Sequence, residues 1–414
     1  MNKHMPYDLK QMQSLPLEAK IIMSQRRFRE WYEYWDGAVY ISFSGGKDST
    51  VLCDLCARVC QMYGWKLYLL FVNTGLEYPE IQKFVKTFAE WLKDTYHIEV
   101  QLDIVRPKMR FDEVLKKYGY PVISKEVSNT VSGARKNIKE GRYSLRLRQL
   151  GVMPYEYGGL YDSGKHDYEK SVAKSKFTQD KWRFLIDEDF DSSEKCCYHI
   201  KKAPSKEYEK RTGRKPIIAI MASESMTREA AWLKKGCNAF DAPRPASQPM
   251  SFWTNQDVLH YIKKYDVPYC PVYGEIVTDI GGEDDLEGQI NLFDYLGCHE
   301  PEDKLKTTGC DRTGCIFCMF GCHLEKEPNR FQRLKETHPR QYEYCINGGQ
   351  YTDFRVLDSD GNEIKLKHCT REQIEKWVSA NLDNENFTIK RKWQPNKEGL
   401  GLGHVLDRIG VNYK

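Results

Sequence analysis

Apolar residues between positions 17 and 34 recur at three- and four-residue steps, the period of a helix with one buried face. Residues 38–43 (AVYISF) are short, apolar and rich in β-branched and aromatic side chains, which predicts a buried strand. A glycine turn follows, and 49–63 returns to helical spacing. Residues 66–73 (KLYLLFVN) read as a strand, 79–96 as a helix and 98–105 as a strand. This β-α-β-α-β alternation predicts an α/β fold, a doubly wound parallel sheet with right-handed crossovers. After a long polar interruption, 216–222 (PIIAIMA) adds one more strand.

From about residue 236 the pattern loosens into Pro, Gly and aromatic residues, an acidic stretch (GGEDDLEGQ) and a cysteine-rich segment. The expected division is therefore a nucleotide-binding domain, 1–235, and a cysteine-rich, mostly helical C-terminal module, 236–414. Helical stretches at 327–345 and a tail at 400–413 are expected to pack on the latter.

A chain of 414 residues buries a full core without disulfide staples. Its N-terminus has no apolar leader and no run of 18 apolar residues occurs, so a cytoplasmic protein with no membrane partner is expected. In a reducing compartment, 14 cysteines point to metal ligation or thiol chemistry rather than disulfides. A net charge of +4 implies no polyanionic partner by itself. Its distribution says more: an insertion at about 130–190 is basic, with Arg142, Arg146 and Arg148 interleaved with Tyr143, Tyr155, Tyr157 and Tyr161. That composition suits either a solvated surface or a nucleic-acid acceptor.

The densest chemistry lies where the first strand turns into its helix, in Ser42-Phe43-Ser44-Gly45-Gly46-Lys47-Asp48-Ser49. In an open parallel sheet, ligands sit at the carboxyl ends of the strands. Gly45 and Gly46 allow successive N–H groups to turn toward an anion, Lys47 adds charge, and Ser44 and Ser49 add hydroxyls. The helix start contributes its own partial positive charge. The loop is too short for GxxxxGK[ST], so Walker-type hydrolysis at the γ-phosphate is not expected.

SGGKDS resembles the pyrophosphate loop of the adenine nucleotide α-hydrolase superfamily, whose members cleave ATP between the α- and β-phosphates. Asn73-Thr74-Gly75-Leu76-Glu77-Tyr78-Pro79-Glu80 is similar to the D-T-G-x-x-F/Y-P-E segment of phosphoadenylyl sulfate reductases, with Asn73 in place of Asp. The likeness continues in YGYPVISKEVS (118–128), Cys196-Cys197, Ser223-Glu224-Ser225 with Arg228, and 253–271. It implies an adenine nucleotide on Ser42 to Ser49 and on Asn73, Thr74 and Gly75. It also implies roles for Lys47, Asp48, Glu77, Lys125 and Arg228 in the reacting pocket, with Mg²⁺ on the phosphates. Ile220-Met221-Ala222 stand where the family often carries Gly-x-Arg, which weighs against a nucleotide with an extra sulfate or phosphate.

Four cysteines, Cys310, Cys315, Cys318 and Cys322, fall within one short segment, and Cys196-Cys197 stands far upstream. Thiolates at CxxC spacing suit zinc or a 4Fe-4S cluster. A vicinal pair plus a distant CxxC resembles the cluster pattern of adenylyl sulfate reductases, implying Cys196, Cys197, Cys315 and Cys318. The set with Cys310 and Cys322 resembles the cluster segment of DNA phosphorothioation sulfurtransferases. Cys53, Cys56 and Cys60 have the spacing of a core-facing helix stripe.

The resemblance leaves two enzyme readings. One is an ATP-dependent sulfurtransferase that adenylates an acceptor, releases pyrophosphate and takes sulfur from a desulfurase-like donor protein. The other is a sulfonucleotide reductase releasing sulfite; the tail GLGHVLDRIGVNYK lacks its Glu-Cys-Gly-x-His nucleophile motif, which favours the first. A nucleotide-sensing, nucleic-acid-binding module is the third reading.

Overall fold

A computed structural model of the chain describes residues 3–162, 178–279, 303–359, 362–364, 370–381, 384 and 386–414. By internal contacts the chain divides into two compact units, Met1–Pro107 with Lys201–Cys315, and Lys108–Ile200 with Ile316–Lys414. This line differs from the expected cut at 235/236, because each unit is assembled from two separate stretches of chain.

The first unit is built on six strands: β1 (Val39–Ser42), β2 (Leu67–Val72), β3 (Val100–Val105), β4 (Lys215–Ile217), β5 (Asn238–Ala239) and β6 (Ala246–Ser247). Their order is β3-β2-β1-β4-β6-β5, parallel throughout except for β5 against β6. Ile41 lies opposite Leu69 on one side of β1, and Val39 opposite Lys215 on the other. The chain order thus reverses at β1, and the crevice at such a switch point is where α/β sheets bind ligands.

The helices Leu17–Tyr34 and Pro79–Tyr96 form over the residues that their periodicity predicts. The helix after β1 runs Lys47–Tyr63 and buries Val51, Leu52, Leu55 and Val59. Cys53, Cys56 and Cys60 sit on the same core, at most 1% exposed. Burial pushes the Cys60 thiol up to about 12, so this stripe is packing and not reactive sulfur. The expected strand at 216–222 ends early, at Ile217, because 222–224 turn into a 3₁₀ helix that leads into the helix Met226–Lys235. A short antiparallel ribbon, β7 (Ile276–Thr278) with β8 (Leu305–Thr307), completes the described part of this unit.

The second unit contains the helices Phe111–Tyr118, Lys125–Lys139 and Leu145–Gln149 and a three-stranded antiparallel sheet. Its strands are β9 (Gln350–Leu357), β10 (Glu363–Ile364) and β11 (Thr388–Gln394), in the order β10-β9-β11. The expectation of a mostly helical module misses this sheet. In TIKRKWQ the polar face is cationic and the buried one sparse, and in β9 only Val356 is fully buried, so no clean alternation marks either strand. The single helix expected at 327–345 is two, Arg330–Thr337 and Pro339–Ile346. Pro339 disfavours the helical region for His338, whose φ of −137° and ψ of 63° break the run.

Tyr143, read as an exposed aromatic of the basic insertion, is instead buried and donates its hydroxyl to the Val152 carbonyl. Tyr155 and Tyr161 are exposed as expected. Part of that insertion and the GGEDDLEGQ stretch lie outside the described residues. Among the described residues no helix is long and apolar enough to cross a membrane.

Candidate functional site

Gly45 has φ +74°, and a Cβ there would come within 2.9 Å of both Ile81 and Val85. Only glycine lets the chain leave β1 this close to the helix Pro79–Tyr96. Gly46 is the N-cap of the helix Lys47–Tyr63 and, as glycine, offers no side-chain cap of its own. The Ser49 hydroxyl donates to the Gly46 carbonyl (2.9 Å) and accepts from the Ser44 amide (3.2 Å), which curls the loop over the helix start. The first-turn amides of Asp48 and Ser49 precede the first intrahelical bond, from the Thr50 amide to the Gly46 carbonyl, so they are placed to meet an anion.

Lys47 is 4% exposed and donates from Nζ to the Asp311 carbonyl at 3.2 Å. Its own amide donates to the Tyr273 hydroxyl at 3.1 Å, and that hydroxyl shares a 2.7 Å hydrogen bond with Thr313. Burial raises the pKa of Tyr273, keeping it neutral. Tyr273 and Thr313 thus form the floor of the loop: a Cβ on Gly46 would meet the Thr313 hydroxyl at 2.9 Å. One Asp48 carboxylate oxygen is buried with no hydrogen-bond donor, 3.5 Å from Lys47 Nζ. An acidic oxygen with no hydrogen-bond donor and only this ion pair, beside the glycine loop, fits a divalent cation, so Asp48 is the residue that would hold Mg²⁺.

A cleft of about 340 Å³ opens beside Lys47 and Asp48 and is closed by Ser223, Glu224, Asn255 and Arg312. Two helix starts border it, Lys47 and Asn255, the second capped by Thr254 with Asp257. Glu224 pairs with Arg228 and lies 3.9 Å from Arg312, so two guanidiniums share one carboxylate. Burial and then the Arg312 charge lower the pKa of Arg228. A second cavity of about 120 Å³ lies over the ends of β1 and β2, lined by Ser42, Ser44, Val72, Glu77 and Lys201 among others.

Of the residues expected from sequence, Ser42, Ser44, Lys47, Asp48 and Glu77 line these cavities, and Gly45, Gly46 and Ser49 shape the loop. Glu77 also closes its own turn, accepting from the Thr74 amide (3.1 Å) and hydroxyl (2.6 Å). Asn73 accepts from the Gly75 amide at 3.1 Å, and Asn73, Thr74 and Gly75 are not among the residues lining either cavity. Arg228 reaches the cleft through Glu224. Lys125 belongs to the second unit, exposed in the first turn of the helix Lys125–Lys139. Sequence reasoning missed Tyr273, Asp311, Arg312 and Thr313. The last three are hidden in GCDRTGC, where the cysteines draw the reading, and Tyr273 sits in an aperiodic stretch.

Cys310 and Cys315 fall in the first unit, and Cys196, Cys197, Cys318 and Cys322 in the second. The Cys196 and Cys197 sulfurs are 4.0 Å apart, well beyond a disulfide bond and close enough to serve one metal centre. Cys322 donates to the Met319 carbonyl at 2.9 Å, and burial pushes its thiol up to about 12; burial also pushes Cys310 up to about 11. Among the described residues no group of three or more His, Cys, Asp or Glu side chains gathers as a metal centre requires. The pair offers two ligands.

The glycine-turned cleft lies at the switch point of a parallel sheet, where α/β proteins bind ligands. The phosphoadenosine phosphosulfate reductase domain family matches residues 38–150 and 160–319, and the chain belongs to that family, within the adenine nucleotide α-hydrolase superfamily. An uncharacterized protein of Methanocaldococcus jannaschii is 32% identical over 115 residues, 28% of this chain and 25% of that protein. The chain thus spans about a quarter of the length of this relative.

Proposed function

We propose that the protein is an ATP-dependent sulfurtransferase that adenylates an acceptor with release of pyrophosphate. The observation that carries this reading is the cleft where the start of the helix Lys47–Tyr63, with its Asp48 and Ser49 amides, Lys47 and Arg312 converge, with a separate cavity over β1 and β2. The cleft suits the β- and γ-phosphates, and the cavity over β1 and β2 would take part of the nucleoside. An acceptor oxygen attacks the α-phosphorus, the bond from that phosphorus to the bridging oxygen breaks, and pyrophosphate leaves. Lys47 and the amides of the first turn neutralise the charge that develops on the leaving group. Mg²⁺, held by Asp48, would supply further charge neutralisation on the phosphates. A sulfur nucleophile from a desulfurase-like donor then displaces AMP from the adenylated acceptor.

A 4Fe-4S cluster, or zinc, on Cys196, Cys197, Cys315 and Cys318, with Cys310 and Cys322 as alternates, stays in the proposal on spacing and on the close Cys196–Cys197 sulfurs. Iron and acid-labile sulfide analysis of anaerobically purified protein tests it. A nucleic-acid acceptor stands on the basic insertion alone.

The family's description favours a second reading, sulfonucleotide reduction. Incubating the protein with ATP and Mg²⁺, beside Lys47→Ala, separates the two. Pyrophosphate that depends on Lys47 supports adenylation. Sulfite released from a sulfonucleotide plus reductant, without pyrophosphate from ATP, overturns it.

A further inference from the structure

A second cationic site lies in the second unit, apart from the nucleotide cleft in sequence and in its residues. Gly119, at φ +103°, ends the helix Phe111–Tyr118, and a Cβ there would lie 2.2 Å from the Asp191 carbonyl. That close approach lets the Tyr120 amide donate to Asp191 (2.7 Å) and the Ser193 amide to Tyr120 (2.9 Å), which brings 191–199 against Tyr118. The turn that follows puts the His199 amide on the Lys195 carbonyl (3.1 Å), so Lys195 and His199 share one face, toward Tyr118.

Tyr118 and His199 stack with ring centroids 4.7 Å apart. The Lys117 and Lys195 ammoniums stand 5.4 and 5.3 Å from the centre of the Tyr118 ring. Both lysines are exposed, and among the described residues neither forms an ion pair. Tyr198, 45% exposed, sets its ring edge-on to His199 at 5.2 Å. Two ammoniums drawn to one ring with no carboxylate between them repel each other, a cost that a bound anion removes.

We infer that Lys117, Lys195 and the Tyr118–His199 stack form a second anion site that takes a phosphate group, beside the Cys196–Cys197 pair. Two ammoniums supply charge-assisted donors to phosphate oxygens, and Tyr198 supplies a flat apolar surface next to them. The phosphate belongs either to a free anion or to a single-stranded nucleic acid, whose bases would stack on such a surface. Cys196 and Cys197 follow Lys195 directly in the chain, so a phosphate held here would bring its carrier to that pair of thiols.

The test is calorimetric and uses the full chain with Lys47→Ala, which weakens the nucleotide cleft. It is titrated with inorganic phosphate and, separately, with a single-stranded oligothymidylate, and the titrations are repeated after adding Lys117→Ala and Lys195→Ala. Loss of roughly tenfold or more in affinity for at least one probe is expected, with Lys117→Arg and Lys195→Arg retaining binding. A much tighter, Lys-dependent oligothymidylate identifies nucleic acid as the source; equal binding of the two probes identifies a free anion. Affinities for both probes unmoved by the double substitution, in protein of unchanged melting temperature, overturn the inference. Pyrophosphate release from ATP is measured on Lys117→Ala/Lys195→Ala in the otherwise native chain. Failure of the ATP reading appears there as no release from any form of the protein, and leaves the anion-binding result standing.

Discussion

Two arginine–carboxylate groups of the first unit make a contrast. At Asp54, a fully buried carboxylate accepts from Arg58 (2.9 Å), Tyr96 (2.5 Å) and Tyr261 (2.6 Å). Arg58 is in turn stacked over the Tyr265 ring at 4.5 Å. At Glu224, one carboxylate serves two guanidiniums and the Met221 amide, while Asp48 close by keeps an oxygen without a donor. Asp54 and Asp48 lie on one helix, six residues apart in sequence. The first network leaves no partner wanting and joins the helices Lys47–Tyr63, Pro79–Tyr96 and Asn255–Tyr265. The second retains unspent donors and charge. Saturated polar groups hold a fold, whereas unsatisfied ones beside a cavity await a ligand.

The largest effect expected is on the saturated side. Asp54→Ala strands a guanidinium and two buried hydroxyls and should cost about 3–5 kcal/mol of stability, read as a lower melting temperature. Asp48→Asn, which keeps the volume, should leave the melting temperature nearly unchanged and reduce ATP turnover. Equal destabilisation by the two would erase the distinction drawn between them.

On the open side, Lys47→Ala should lower the rate of pyrophosphate release roughly 10²- to 10³-fold, the range for losing one charge-stabilising donor, while the protein stays folded. Next comes Arg312→Gln. Arg312 lies at the rim of the cleft with most of its surface in water. Its loss should weaken ATP binding by about tenfold, the scale of one charge-assisted contact, with little change in stability. An Arg312 variant that melts early but binds ATP normally would move Arg312 to the structural side.

How far each group was legible in the sequence follows the same contrast. Ser44 to Ser49 were readable because a strand, a glycine turn and a helix start must coincide there, and local pattern reports local geometry. Lys47 was recognised, yet its floor, Tyr273 and Thr313, was not, since contacts across more than two hundred residues leave no periodic trace. Tyr96 and Tyr261 were equally invisible as partners of Asp54, which reads in sequence as a polar lapse on a buried helix face. The β9–β11 sheet escaped because β11 carries Lys390, Arg391 and Lys392 in succession and β9 has only Val356 fully buried, so neither shows a strong apolar face. The cysteine stripe was legible, because a spacing of three and four residues is itself a burial signal.

That stripe extends the comparison to sulfur. Cys53, Cys56 and Cys60 are at most 1% exposed, and burial raises all three thiols well above their ordinary range. Folded protein stripped of metal by a chelator and treated briefly with iodoacetamide at neutral pH should keep them unmodified, while Cys197, Cys315 and Cys318, which reach the surface, become labelled. Peptide mapping by mass spectrometry reads the outcome. Rapid labelling of Cys56 would mean that the helix opens readily and that the Asp54 network does not hold it.

The smallest effect concerns an ion pair in the second unit whose guanidinium lies mostly in water while its carboxylate is buried. Arg110 donates to both oxygens of Asp112, at 3.0 and 2.7 Å, and Lys116 stands 3.7 Å away. The Arg110 hydrogen bonds hold the Asp112 carboxyl below its usual range. A carboxylate whose pKa is depressed on folding adds stability above its unfolded pKa, near roughly pH 4, and loses it as the pH falls through the lower folded value. Arg110→Gln should therefore lower the melting temperature slightly at pH 7, and the deficit should shrink as the pH falls below about 4 and vanish once it has passed the lower folded value, where Asp112 is protonated in both proteins. Arg110 is largely exposed, so the difference at pH 7 should also shrink in high salt. A deficit that persists at acid pH would show that Arg110 acts by packing its methylene stem and not by its charge. The same variant in buried form, Arg58→Gln at Asp54, should keep its deficit in high salt, because screening ions do not reach a carboxylate with no exposed surface.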